Sequence, residues 1–480
     1  MNRDLLAALS FALALALGLP GCTTTGGAPV EPVVASTWQA PLPHEGNVAE
    51  LRRWWTQFDD PLLAHLIDAA ETASPTIASA AARIVDAQAR RTATGAALLP
   101  ALDATASAGR GRQDISLPIA ATSAGIGLQA SWEIDVFGRN RAARDAAEAR
   151  LEGAGASWHD ARVVVAAETA NQYLSLRACE SLLAQTRLDA DSRAETARLT
   201  ELSMQNGFES RANAALTRAS AAQGSVLVKQ QSEQCEQTIK ALVALTGIAE
   251  PDLRAQLAAA AARLPQPAAI AVPSVPAAAL AQRPDVFTRA RDVIAASADI
   301  GAAEADRWPR ITLAGSVGAA RFESGLGSFS GTTWSIGPVG VSVPVFDGGA
   351  RRANVDAARA RYDEATSAYA ATLRNAIRDV ETALIALQGT ADRSADAQTA
   401  ADNFEISYRA TEARYRSGFG TLFELEDARR SALAAQILLI NLRRERVAAW
   451  IALYRALGGG WTAPADAQTA ATSPPGPASP

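Results

Sequence analysis

The sequence has little of what most catalytic and metal sites are made from. Its three histidines, His44, His65 and His159, are scattered along the chain, as are its three cysteines, Cys22, Cys179 and Cys235. Neither set has the spacing of a metal centre. No Walker loop or nucleophile elbow is present, and the GxGxxxG run from Gly325 to Gly331 does not fit a dinucleotide fingerprint. No enzyme activity, cofactor or metal is expected. Aromatic residues make up only 5% of a visibly alanine-rich chain, which suits close-packed helices better than a thick aromatic core. With 45 basic and 50 acidic residues the net charge is −5, so there is no basic footprint for nucleic acid. Beyond Leu19 no apolar run reaches the roughly 18 residues of a spanning helix. Any membrane crossing must therefore use strands.

What the amino terminus does have is a secretory signal over residues 1–21. Arg3 supplies a basic start, Leu5–Leu19 an apolar stretch, and Leu19-Pro20-Gly21-Cys22 follows directly. This resembles the bacterial lipoprotein signal, which implies that Cys22 is acylated. Thr23, rather than aspartate, follows the cysteine, and by the same resemblance this favours the outer membrane. Residues 22–50 are rich in Thr, Gly and Pro and read as a lipid-anchored linker.

The rest of the chain contains one stretch twice. SWEIDVFGRNRAARDAAEAR begins at Ser131, and SVPVFDGGARRANVDAARAR begins at Ser342. At constant spacing Gly138 meets Gly349, Arg141 meets Arg352 and Arg150 meets Arg361. In each copy an alternating pattern breaks at glycine and becomes helical, so a strand feeds a helix. Pro75 with Pro284, Pro100 with Pro309, Trp158 with Tyr369, Gly207 with Gly418 and Gly247 with Gly458 extend the match. The mature chain is an internal duplication. The domain plan is a first repeat at 51–250, a linker at 251–277, a second repeat at 278–460 and a disordered tail at 461–480.

Leu51 to Arg91 is helical in pattern, with Asp60 as N-cap before Pro61. Each repeat then carries a strand pair. In the first, Pro100 to about Gly111 is followed by the alternation from Ile126 to Val136. In the second, a strand at Ile311–Val317 leads through a Gly/Ser-rich loop from Phe322 to Thr332 into the alternation from Val339 to Val345. Strands of this length cross a bilayer when tilted. Asn140–Gln205 and Arg351–Ser417 contain no proline and would each reach about 100 Å as helices. Apolar stripes, Tyr369 to Leu387 and Leu433 to Tyr454 with Arg444 filling one slot, indicate antiparallel coiled-coil pairing. The hairpin turns are Asn206-Gly207-Phe208-Glu209-Ser210 and Ser417-Gly418-Phe419-Gly420-Thr421, each a glycine stop followed by a hydroxyl N-cap. Cys179 and Cys235 are equidistant from Gly207, so a hairpin there sets the two sulfurs side by side and predicts a disulfide.

Four strands per chain cannot close a barrel, and open edges in lipid leave polar backbone unpaired, so the chain must oligomerise. Two copies give a barrel filled by side chains, whereas three give twelve strands with room for a conduit. Here the chain resembles the TolC-like outer-membrane factors, in particular the lipidated branch of NodT-type efflux proteins. The residues that carry this are Cys22, Trp54-Trp55 with Asp60-Pro61-Leu62, Gln282-Arg283-Pro284-Asp285-Val286, Ala298-Asp299-Ile300-Gly301-Ala302-Ala303, Trp308-Pro309 and Ala456-Leu457-Gly458-Gly459-Gly460-Trp461. The resemblance implies an α+β membrane protein: a homotrimer with a twelve-stranded β-barrel and a coiled-coil α-helical periplasmic barrel. It implies a periplasmic adaptor, an inner-membrane pump of the resistance-nodulation-division type, and export of small solutes. It further implies that Glu424 and Asp427, three apart on one helix face, ring the periplasmic aperture. The turns with Asn206, Gly207, Phe208, Ser417, Gly418 and Phe419 are the expected adaptor contacts. A protein-secretion or metal-export channel on the same scaffold is one alternative. A structural periplasmic coiled-coil lipoprotein, with no bilayer-spanning strands, is the other.

Overall fold

Two strand pairs, one from each repeat, meet in a single antiparallel sheet. In the computed structural model, which describes residues 38–40, 54–55, 57–112, 120–259, 261–266, 280, 282–325 and 327–462, these are β1 (Ala101–Arg112), β2 (Ala120–Ile134), β3 (Arg310–Ser324) and β4 (Gly327–Ser342), in that order across the sheet. Residues 1–21 and Cys22 lie outside the described residues. The repeats join where β2 pairs with β3, with Leu128 opposite Val317 and Ile134 opposite Ile311.

Alternation gives the sheet one apolar and one polar face. Leu102, Ile126, Val317 and Trp334 occupy register positions on the first and are all exposed in the single chain. Asp103, Gln129, Ser316 and Ser335 occupy the second, where Ser316 Oγ and Ser335 Oγ lie 2.8 Å apart. In β4 the apolar positions change phase, from Trp334 and Ile336 to Val339 and Val341. A bulge explains this. Leu313 pairs with Val339 but Gly315 with Ile336, so β4 holds one extra residue there, and the valines stay on the apolar face. The expected Gly/Ser-rich loop from Phe322 to Thr332 is instead mostly strand. Phe322 pairs with Phe329, and only two residues separate Ser324 from Gly327. Small residues had mimicked a loop, but ladder pairing satisfies their backbone.

The chain divides into two units. One contains the sheet and draws on residues 89–150 and 292–366; the other draws on 32–88, 151–291 and 367–480. Each repeat contributes to both. The first unit also holds the stacked rings of Phe137 and Trp308, 5.6 Å apart, beyond the helix-side end of the strands.

The helices are α1 (Pro61–Ala73), α2 (Pro75–Ala96), α3 (Arg139–Gln205), α4 (Arg211–Thr246), α5 (Glu250–Ala258), α6 (Pro284–Ala305), α7 (Ala350–Arg416) and α8 (Leu422–Ala456). The helical stretch expected from Leu51 to Arg91 is, from Pro61 on, two helices. Ser74 is extended at ψ 118 and its hydroxyl accepts from Ile77 N, so Pro75 starts a new helix. Asp60 does cap α1: Oδ1 accepts from Leu62 N and Leu63 N, while Oδ2 accepts from Tyr173 OH at 2.6 Å. Burial and that bond push the Tyr173 hydroxyl up to about 12. Trp54 is fully buried against Trp450 and Tyr454.

The linker expected at 251–277 begins as α5, whose Leu253 and Leu257 are buried in the main core. Apolar residues one helical turn apart outweigh the alanine and proline around them. After it, Ala262 N donates to Glu180 Oε2 of α3 at 2.8 Å. The linker at 22–50 is also anchored where it is described: Gln39 N and Ala40 N donate to Glu381, and Trp38 is buried. Trp461, expected in a disordered tail, packs on Phe287 with 5.2 Å between ring centres. In α8 the buried stripe over this stretch runs through Ala432, Ala435, Leu439 and Leu442; Leu433, Ile437 and Ile440 are half-buried and Arg444 is exposed. Alanines allow close helix approach, so the contact line follows them rather than the larger side chains.

Candidate functional site

The candidate site lies at the turns of the two long hairpins, α3–α4 and α7–α8. Both turns reverse through left-handed glycines, Gly207 at φ 81 and Gly418 at φ 77. In each, the last helical turn closes by the same two bonds. Phe208 N donates to Ser203 O and Gly207 N to Met204 O; Phe419 N donates to Arg414 O and Gly418 N to Tyr415 O. Asn206 Nδ2 bonds Leu202 O and Ser417 Oγ bonds Ala413 O, so both polar residues serve the helix ends. This geometry projects Phe208, Phe419 and Phe423 into solvent, at 84%, 81% and 76% exposed. Together they put three large apolar side chains at the hairpin ends.

The second helices start differently. Ser210 accepts from Asn213 N, while Thr421 and Glu424 form a full capping box: Thr421 Oγ1 accepts from Glu424 N and Glu424 Oε2 from Thr421 N at 3.0 Å. The backbone bond from Thr421 holds the Glu424 carboxyl below its usual range, although the group is fully exposed. Asp427 is exposed at 65% and lies 3.5 Å from Arg430. The expected acidic pair is therefore unequal. Glu424 is folded back onto the start of α8, whereas Asp427 is held only by its exposed pair with Arg430. Because the Glu424 pKa is depressed, its capping contribution is present above the ordinary carboxylate pKa and lost as pH falls through the lowered value. Protection of the Thr421 amide, relative to its intrinsic exchange rate at each pH, should fall over that acid range in the wild type. It should be low throughout in Glu424→Ala, and equal protection in both proteins at every pH would remove the capping role.

Sequence reasoning missed what ties the hairpins together. Beside Glu424 and Asp427 lies a second set of charges in which Arg429, Arg193 and Asp189 are buried and Glu426 is half-buried. Arg429 is 3% exposed and pairs closely with Glu426. Its NH2 donates to Thr196 Oγ1 at 2.8 Å and Ser192 Oγ at 3.2 Å on α3. Glu426 Oε2 accepts from Ser220 Oγ of α4 at 3.1 Å and lies 3.8 Å from Arg193 NH1; Arg193 Nε in turn donates to Asp189 Oδ2 at 2.7 Å. Ser192 Oγ meets Tyr408 OH of α7 at 2.7 Å. Two cations and two anions thus join four helices at one level. Further along, Cys179 and Cys235 are disulfide-bonded across α3 and α4, with Cα atoms 5.6 Å apart. No cluster of metal-ligating side chains occurs among the described residues.

A family model described as outer membrane efflux protein matches the chain twice, over residues 66–248 and 275–459, once in each repeat. The chain is 31% identical to the pyoverdine export outer membrane protein OpmQ of Pseudomonas putida, over 94% of this chain and 97% of that one. It is 30% identical to the outer membrane protein OprJ of Pseudomonas aeruginosa, over 96% and 97%. The solved outer-membrane channel OprN superposes with a TM-score of 0.80 at 26% identity, covering 91% of this chain and 99% of that one. The chain belongs to the outer membrane efflux protein family. It is a TolC-like outer-membrane efflux channel protein, with an α+β fold that joins barrel strands to long coiled-coil helices.

Proposed function

We propose that three copies of this chain close a twelve-stranded barrel and form one passive conduit for small solutes across periplasm and outer membrane. The observation that carries this is the open sheet, with β1 and β4 at its edges and large exposed side chains on one face. Edges in lipid are costly, and pairing β4 of one copy with β1 of the next removes them. Three copies are the smallest closed set that leaves a lumen. The polar face then lines it. The name of OpmQ speaks for small-solute cargo as a class and does not fix the cargo here.

The conduit works with a periplasmic adaptor and an inner-membrane pump, of the resistance-nodulation-division type. Phe208 and Phe419, exposed beside Gly207 and Gly418, give an adaptor helix apolar anchors at both turns. Cys22 carries the lipid anchor. Labelled palmitate should enter the wild type and not Cys22→Ser, and equal labelling of both would remove the anchor. Trimerisation turns Asp427 and Glu424 into acidic rings near the periplasmic aperture, which favour cations and restrict flow.

In planar bilayers the wild type should show small, cation-selective single-channel conductance. Glu424→Ala/Asp427→Ala should raise it by about twofold or more and weaken the selectivity. Asp427→Asn alone should account for most of the change, since Glu424 is engaged in its cap. Absence of conductance in every form, with a soluble monomer in detergent-free buffer, would leave a structural coiled-coil lipoprotein instead.

A further inference from the structure

Register places charge on the sheet in a way that membrane crossing alone does not require. On the apolar face, successive rows climb from Ile134–Ile311 through Leu128–Val317 to Ile126–Ala319, and none of these positions is charged. Charge begins at the next rows. Arg321 stands opposite Ala124, and Arg110 stands opposite Thr122, which in turn faces Glu323. Arg112 holds the following register position, opposite Ala120. From the Ile134 row to the Arg321 row is about 33 Å along the strand at ~3.3 Å per residue. At a tilt of about 40° that is roughly 25 Å of depth, the height of an outward apolar band. The arginines therefore lie at the level where hydrocarbon gives way to headgroups, at the strand ends away from the long helices.

We propose that Arg110 and Arg321 form a binding site for lipid-borne phosphate in the outer leaflet. The inference rests on the reading of the apolar face as the lipid-facing one. Two strand spacings separate β1 from β3, about 10 Å, which two flexible guanidinium side chains span to grip one diphosphorylated glycolipid headgroup or two neighbours. Guanidinium binds phosphate bidentately and keeps its charge at any relevant pH. Arg321 NH2 lies 3.6 Å from Glu323, but both side chains are exposed, at 66% and 62%. Such a pair is weakly held and exchanges readily for a phosphate. The neighbouring row positions on β4, Ser328 and Ser330, add hydroxyls and no competing carboxylate. Apolar rows beneath accept the acyl chains of the same lipid, so one molecule satisfies both parts of the surface.

The test uses the full-length protein in neutral detergent, titrated with diphosphoryl lipid A, with its dephosphorylated form, and with inorganic phosphate. The wild type should gain thermal stability with the diphosphoryl lipid well below the concentrations needed for the other two. Arg110→Gln/Arg321→Gln should bind that lipid about tenfold to thirtyfold more weakly, yet respond equally to the dephosphorylated form. Arg110→Lys/Arg321→Lys should recover part of the loss. An equal response of the wild type to both lipids, or an equal affinity of wild type and the Gln variant, would overturn the site. Inorganic phosphate that reproduces the full shift would assign it to free anion instead. Conductance of the same preparation separates the outcomes: a conducting channel without the lipid response ends this inference alone, whereas a non-conducting one ends the barrel reading beneath it.

Discussion

Gly458→Ala is expected to abolish folded protein, although it adds a single methyl group. Gly458 has φ 76, and a Cβ there would stand 2.1 Å from Gln282 O and 2.9 Å from Arg283 Cα. Both neighbours are backbone, so neither can swing aside. Left-handed strain and the clash act together, and the cost should exceed about 4 kcal/mol. The contact is held from the other side as well. Arg283, 8% exposed, donates NH1 to Ala456 O at 3.0 Å and NH2 to Asp285 at 2.7 Å. Two segments far apart in sequence, Gln282-Arg283-Pro284-Asp285 and Ala456-Leu457-Gly458, therefore form one junction that locks the end of α8 to the start of α6.

Gly389→Ala provides the control. That glycine lies inside α7 with nothing within 4 Å of its Cβ position. Alanine there should be neutral or stabilise by about 0.5–1 kcal/mol, through helix propensity alone. Membrane-fraction yield and the thermal midpoint of the purified protein decide between them. A folded Gly458→Ala with an unchanged midpoint would mean that the junction is looser than its geometry.

Much of this architecture was legible because it repeats. Two copies of a strand-to-helix stretch, two glycine turns and two strand pairs leave few arrangements, and Asp60 before Pro61 announced its own cap. Legibility failed where one-dimensional patterns have more than one solution. The phase change at Gly337–Pro338 requires an extra residue in β4 that no local composition signals. Small residues from Ser324 to Thr332 look the same in a loop and in a ladder. At the second turn, the run Glu424-Leu425-Glu426-Asp427 reads as one acidic face, yet its three carboxylates have three fates. Thr421 and Glu424 stand at capping-box spacing, so that fate was visible in the sequence. The pairing of Glu426 was not, because its partners Ser220 and Arg193 lie on the other hairpin.

The difference among those carboxylates predicts opposite outcomes for neighbouring substitutions. Glu426→Ala should destabilise the hairpin pair by about 3–5 kcal/mol, the usual cost of breaking a buried ion pair from one side. It leaves Arg429 and Arg193, 3% and 7% exposed, with Asp189 as their one remaining carboxylate in the network. Asp427→Ala removes a pair exposed at 65% and 66% and should change stability by no more than about 1 kcal/mol. Replacing both partners, as Glu426→Leu/Arg429→Leu, should restore much of the loss, since no unpaired charge then remains from that pair. Thermal midpoints of the three variants check the ordering, and a Glu426→Ala midpoint within a degree of Asp427→Ala would refute it. The same energies bear on gating. A docking partner supplies only a few kcal/mol of differential binding, enough to rearrange the exposed Asp427 side chain and the Ser417–Thr421 turn. Separating α8 from α3 at Arg429 costs at least as much again. On the proposed reading of Glu424 and Asp427 as a gate, motion is cheapest in the Ser417–Thr421 turn and the exposed carboxylates, with the network around Arg429 holding the two hairpins in register.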